Sequence, residues 1–311
     1  MSTSLLPLIQ TQLVRYGITT IMFLGCTGNA YVVVNFSKYY KNSCSLFLLS
    51  AAIMNIIYLA LSVPLTVYTY EYGDPSLYSM GLCKLRYYLF HVWGQMSRYF
   101  IVLACIDRFA LTNVDSKIRM LGQPYVARLF IGLITIFWHI FAIHIAIMTT
   151  VTNGICGYFD LYYTLNSIYI LIFVCLVPPI TMSIFGYLTF KNIKRLHMRV
   201  HSMGSVNTTR IVIHRHDHNL LVMVLAEILI YVATMSLYPA IILELAVTNS
   251  MADNKTLQEI QIENFLLFIS QFLIYINTSA PFYIYLIASK TFRNDVKRTI
   301  CMVWRCIIRR Q

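Results

Sequence analysis

Charge is scarce in this chain. Twelve Asp and Glu and 24 Lys and Arg stand among 311 residues, so only 12% are charged while 58% are hydrophobic. A water-soluble domain carries about a quarter of its residues as charges, so this balance excludes one and points to a chain that crosses a bilayer repeatedly. No polar stretch is long enough to form a large ligand-binding domain outside the membrane. The first fifteen or so residues lack a basic n-region, which argues against a cleaved signal peptide and predicts that the first helix is its own insertion signal. No nucleophile, base and orienting group share a motif, so neither an enzyme nor a bound cofactor is expected. Inverted repeats of broken helices and charged filter sequences are also missing, against a transporter or channel.

What is present is a series of apolar runs of spanning length, at about 16–36, 45–69, 83–110, 125–149, 166–191, 217–247 and 262–288. Each is long enough to cross about 30 Å of hydrocarbon as a helix. The predicted fold is an all-α membrane protein, a single bundle of seven transmembrane helices over residues 1–311, followed by an amphipathic helix at about 290–309. On that tail Phe292, Val296, Ile300 and Val303 face lipid and Arg293, Lys297, Arg298 and Arg305 face headgroups. Basic residues stay on the cytoplasmic side. Lys38, Lys41, Arg108, Lys117, Arg119, Arg128, the 191–215 group and the tail share one face, while Arg15, Lys84, Arg86 and Lys255 fall on the other. The amino terminus is therefore expected outside a plasma membrane, and the net charge of +12 reflects this bias rather than nucleic-acid binding. Asn254, in the sequon Asn254-Lys255-Thr256, lands outside as a glycosylation site.

Of the eight cysteines only Cys83 and Cys156 lie on the oxidising face, and a bridge between them would pin the loop after helix four over helix three. Cys301 and Cys306 sit among basic and apolar tail residues as palmitoylation sites. The histidines His197, His201, His214, His216 and His218 read as a solvated loop rather than a metal site. Prolines at 64, 178, 179, 239 and 281 interrupt apolar helices, each removing a backbone hydrogen bond and building hinges into helices five, six and seven.

Several residues in order carry a family likeness: Gly28-Asn29, the interval from Cys83 to Asp107-Arg108-Phe109, Trp138, Pro179 with Tyr187 eight residues on, Pro239, and Asn277-Thr278-Ser279 leading to Phe282-Tyr283-Ile284-Tyr285 and Phe292-Arg293. Over roughly residues 20–293 the chain resembles the rhodopsin-like G-protein-coupled receptors, and its helix-seven wording is similar to the invertebrate FMRFamide-type peptide receptors. The resemblance implies an external ligand, a heterotrimeric G protein as partner, and a switch in which Arg108, held by Asp107 at rest, is released to meet Tyr187 and Tyr285. A receptor-shaped decoy that binds without coupling is the competing reading.

The departures from the family pattern are specific. Asn55 replaces a carboxylate in helix two, beside Ser97 and Asn277 at the same depth, which removes the charge that would balance sodium. Leu237 takes the aromatic switch position before Pro239, and Pro281-Phe282 shifts the helix-seven hinge by one residue. Arg98 stands at mid-bilayer, where a charge costs about 3 kcal/mol; its expected partners are the carbonyls of Val174 and Cys175, freed by Pro178 and Pro179, and the Glu227 carboxylate. Phe90 and Tyr275 occupy positions that argue against an amine receptor and a photoreceptor respectively. The acidic outer residues Glu71, Asp74, Asp160, Glu244, Asp253, Glu259 and Glu263 suggest a cationic ligand. A small amidated peptide fits them together with Tyr87, Phe90, His91, Trp93, Tyr238, Phe265 and Tyr275, with Gln95 and Gln271 to hold its amide end. Hydroxyls in the tail are few, so arrestin recruitment there is expected to be weak.

Overall fold

The computed structural model of the chain describes residues 5–152, 154–202, 208–248 and 256–308; the side chains of 160, 196–202, 208–221, 246, 303–304 and 306–308 lie outside that description. Asn254 and Asp253 lie outside the described residues, and Cys306 and the histidines His197, His201, His214, His216 and His218 lie outside the described side chains.

Among the described residues seven helices are long and apolar enough to cross a membrane: Leu5–Ser37, Ser43–Tyr72, Met80–Thr112, Pro124–Met148, Leu161–Arg195, Val222–Leu245 and Leu257–Ser279. They are called helices one to seven. An eighth, Lys290–Ile308, follows Pro281–Ala288, the continuation of helix seven. The chain is a multi-pass all-α membrane protein.

Helix one begins eleven residues before the predicted start at 16, because Gln10, Gln12 and Arg15 break the apolar run without breaking the helix. A wider turn over Leu13–Ile18 lets Arg15 reach Glu71 of helix two, with Nε and Nη2 donating to the two carboxylate oxygens at 2.8 Å each. Helix seven starts at Leu257 rather than 262, fixed by a capping box in which Thr256 and Glu259 exchange hydrogen bonds. Helix six is interrupted at Ser236, three residues before Pro239, and helix seven at Ala280, just before Pro281. Helix five carries a wide turn over Leu171–Leu176 ahead of Pro178 and Pro179. Helix four is broken at Ala142.

A two-stranded hairpin, Thr150–Thr152 with Ile155–Gly157, turns at Gly154, whose φ of +71° favours glycine. The Cys83–Cys156 disulfide fastens this hairpin to the first turn of helix three. The core runs along the bundle axis. Trp138 is fully buried there, its ring against Tyr99, His91, Phe137, Phe141 and Phe173.

Helices one, two and seven approach most closely at Gly25 and Gly28. A Cβ on Gly25 would meet the Ser279 side chain and come within 2.6 Å of Leu59 Cδ1, and one on Gly28 would sit 2.9 Å from Phe282 Cβ. Overpacking of this kind costs about 1–3 kcal/mol. Gly25→Val is therefore expected to lower the unfolding midpoint of the purified protein by several degrees, whereas Gly132→Ala, with nothing within 4 Å of its Cβ, leaves it unchanged; differential scanning fluorimetry in detergent reads both.

Candidate functional site

Helix three ends in Asp107 and Arg108, and both are buried, Arg108 to 2% exposure. Arg108 Nη2 donates to Asp107 Oδ2 at 2.6 Å and Nε donates to the same oxygen at 3.1 Å. The second Asp107 oxygen accepts from the Ser43 hydroxyl at the start of helix two. Asn42, which caps helix two by accepting from the Ser45 amide at 3.1 Å, lies 3.5 Å from Arg108 Nη2. The ion pair is thus built into helix three and tied to the entry of helix two. Removing one partner of such a buried pair costs about 3–5 kcal/mol, because the other charge is left uncompensated. Ser43 gave no signal in the sequence beyond an ordinary helix start.

Tyr285 is also buried, and its hydroxyl donates to Glu227 Oε2 of helix six at 2.7 Å. Phe36 and Phe292 pack edge-on against its ring. Phe292 is held in turn by the first turn of the eighth helix, where Ser289 caps its amide at 3.2 Å and Arg293 Nη1 donates to the Leu286 and Ile287 carbonyls at 3.1 and 2.6 Å. Glu227, 5% exposed, was expected opposite Arg98; here it is the acceptor for Tyr285. Tyr187 stands apart, 64% exposed. Phe109 packs on Phe185 of helix five.

Midway along the bundle the expected polar residues meet. Asn29 donates to the Gly25 and Thr278 carbonyls at 2.9 and 3.1 Å, Asn55 donates to Asn29 Oδ1 at 3.3 Å, and Ser97 donates to Asn55 Oδ1 at 2.6 Å. Asn277 donates to Thr234 of helix six at 3.0 Å. Beside them lies a cavity of about 20 Å³, room for about one water, lined by Asn55, Ser97, Arg98, Glu227, Asn277 and Pro281 among others.

The surroundings expected for Arg98 need correction. Its Nη1 donates to Gln95 Oε1 at 2.9 Å, one turn away on the same helix. The Val174 carbonyl freed by Pro178 accepts instead from Tyr231 of helix six, and Tyr99 donates to the Phe173 carbonyl at 3.2 Å. Aromatic hydroxyls on neighbouring helices reach these carbonyls, so the wide turn is satisfied without the guanidinium. Leu237 and Tyr238 open the second segment of helix six, immediately after the break.

At the disulfide end the residues expected to form one pocket fall into two groups. Tyr87 donates to the Cys156 carbonyl at 3.0 Å and packs on Tyr158, and His91 Nε2 lies 2.8 Å from the Tyr169 hydroxyl. Phe90 contacts Tyr58 and Trp93, while Tyr275 packs on Tyr58 with its hydroxyl 3.1 Å from Thr66. Gln95 is fully buried, and its Oε1 accepts from Arg98. Glu244 is exposed and Glu263 half-buried, both near enough to act on the Tyr163 phenol. Gln271 belongs elsewhere, to a cavity of about 400 Å³ roofed by Leu6 and Pro7 between helices one, two and seven.

The acidic face is also less negative than its sequence suggests. Glu71 is paired with Arg15, and Asp74 with Arg86 at 3.0 Å. Glu259 is spent on its capping box. At the opposite end Cys301 is exposed on the eighth helix.

The family model described as "7 transmembrane receptor (rhodopsin family)" matches residues 28–285. The span takes in the Asn29 network, the disulfide, Asp107-Arg108, and Tyr285 at its last position.

Tyr285→Phe removes the donor to a buried carboxylate, a loss of about 1–3 kcal/mol. A lower unfolding midpoint in detergent is expected, with Tyr283→Phe, whose hydroxyl bonds an exposed-side carbonyl of Leu24 at 3.2 Å, shifting it less.

Proposed function

The chain belongs to the rhodopsin family of seven transmembrane receptors, and on that premise we propose that it is a plasma-membrane receptor for a small amidated neuropeptide, with its amino terminus outside. Membership alone makes it a G-protein-coupled signalling receptor and not an enzyme, with an external ligand and a G protein as its partners. The bias of Lys and Arg toward the Arg108 end supports the orientation. The disulfide-pinned hairpin and the two aromatic groups beneath it, Tyr87 with His91 and Phe90 with Tyr275, then face the ligand.

The observation that carries the coupling proposal is the pair of separately held switch residues: Arg108 on Asp107, and Tyr285 on Glu227 of helix six. Signalling in this reading is an outward shift of helix six, which breaks the Tyr285 and Asn277 bonds to Glu227 and Thr234 together and lets Arg108 and Tyr285 turn to the G protein. Gly25, Asn29, Asn55 and Ser97 hold the static side of that movement, and the breaks at Ser236 and Ala280 supply its hinges. The helix-seven wording and the neutral, amide-rich mouth support a peptide with a blocked end over an amine. The eighth helix would lie along the inner leaflet, with Cys301 and Cys306 as acylation sites and little provision for arrestin.

Cells expressing the chain, challenged with amidated peptides, should give a second-messenger response that Arg108→Ala abolishes at equal surface expression. A response that survives would remove Arg108 from coupling, and surface binding without any signal would favour the decoy reading. Glu227→Leu releases Tyr285 on the resting side only, worth about 1.4 kcal/mol or tenfold in the equilibrium between states. Ligand-free signalling should rise accordingly, and an unchanged basal level would argue against the Glu227 lock.

A further inference from the structure

We propose that the cavity of about 400 Å³ between the opening turns of helix one, helix two and helix seven is the seat for the uncharged, carboxamide end of the peptide ligand. The inference rests on the reading of the chain as a receptor for an amidated peptide and goes beyond it by naming where that end sits and what reads it.

The lining is chemically narrow. Gln10, Gln261, Asn264 and Gln271 supply four carboxamides and Tyr70 one phenol, with Phe268 and Leu267 as apolar floor. Among the described residues no Asp, Glu, Lys or Arg lines the cavity. Three carboxylates neighbour the wall along the chain: Glu71, engaged with Arg15 through both its oxygens, Glu259, held in the capping box of helix seven, and Glu263, next to Asn264. A ligand carboxylate would therefore be desolvated among carboxamides and beside carboxylates, without a cation among the described lining residues to meet it. A carboxamide offers two donors and an acceptor, the same inventory as the wall it would face.

One wall atom is already short of a partner. Gln261 Oε1 is shut off from solvent and accepts no hydrogen bond, whereas Gln10 Nε2 already donates to the Tyr70 hydroxyl and leaves that hydroxyl's own proton available. A buried acceptor that no described residue partners is uncommon in a folded chain, and a turn of the Gln261 side chain into the cavity would present it to the N–H of a terminal amide.

The wall also has the right shape. Gln261, Asn264, Phe268 and Gln271 are spaced three, four and three residues apart and share one face of helix seven. That face is about 15 Å long at 1.5 Å per residue. An extended peptide advances about 3.3 Å per residue, so four to five ligand residues span it, and the volume falls in the range of small-ligand pockets. Asn264 and Gln271 remain exposed, so the seat is open from the side that the ligand would approach.

The test uses the full chain on cells with Gln271→Cys or Asn264→Cys and a membrane-impermeant thiol reagent, the unsubstituted chain serving as background. The probes are tetra- and pentapeptides with Arg next to the last residue, each as the amide and as its free acid. Labelling at both positions is expected, slowed at least fivefold by an amide and not by its acid. Adding Gln261→Leu to the Gln271→Cys chain should raise the amide concentration needed for protection about tenfold. No labelling, no protection, or equal protection by amide and acid would each overturn the site. Second-messenger output of the unsubstituted chain is recorded in parallel: signal without protection overturns this seat and keeps the receptor reading, protection without signal keeps the seat and overturns the coupling, and neither overturns both.

Discussion

A polar group buried away from water must find a partner or cost several kcal/mol, and in a bilayer that rule leaves almost no freedom. The backbone satisfies it by becoming helix. The side chains satisfy it by reaching across helices, and those reaches define the bundle. Asn29, Asn55 and Ser97 chain helices one, two and three, with Asn29 also taking the Thr278 carbonyl of helix seven. Asn277 and Tyr285 bind helix seven to helix six through Thr234 and Glu227, and Tyr231 binds helix six to the wide turn of helix five. Between these links apolar packing is interchangeable in a way that the links are not.

The distribution of links divides the molecule. Helices one, two and three are joined by a side-chain network and by a close glycine contact with helix seven, while helix six is held to its neighbours by single hydroxyl bonds next to a break at Ser236. A displacement of helix six therefore severs a few bonds together and leaves the other side intact. The two switch residues differ in kind. Arg108 is held by its sequence neighbour, an arrangement that moves with helix three, whereas Tyr285 is held by a residue on the helix that moves. Arg98 lines a space for about one water together with Glu227 and Asn277.

Much of this was legible in the sequence, because membrane spans and in-order motifs are strong signals. The Cys83–Cys156 bridge could be named from the two cysteines' place on the outer face, and Asp107-Arg108 and the polar trio of Asn55, Ser97 and Asn277 from the family resemblance. The pairings of buried groups were less legible. Glu227 was visible as a carboxylate in an apolar run, but whether it faced Arg98 or Tyr285 depends on helix rotation, which periodicity leaves open in a run hydrophobic all round. The same ambiguity hid the bond between Arg98 and Gln95, and Ser43, whose role comes from the packing of helix two against the end of helix three. The start of helix one was misplaced because glutamines and an arginine resemble a loop in a hydropathy reading, although here they form the wall of a cavity and one half of an ion pair.

That ion pair, with its counterpart between Asp74 and Arg86, has a kinetic consequence. Two of the seven carboxylates on the outer face are neutralised within the receptor's own rim, so they add nothing to the attraction felt beyond the roughly 8 Å screening length of physiological salt. A cationic peptide would be steered by the other carboxylates alone, at a rate less dependent on ionic strength than the sequence suggests. Discrimination between peptides would then lie in how slowly the right one leaves.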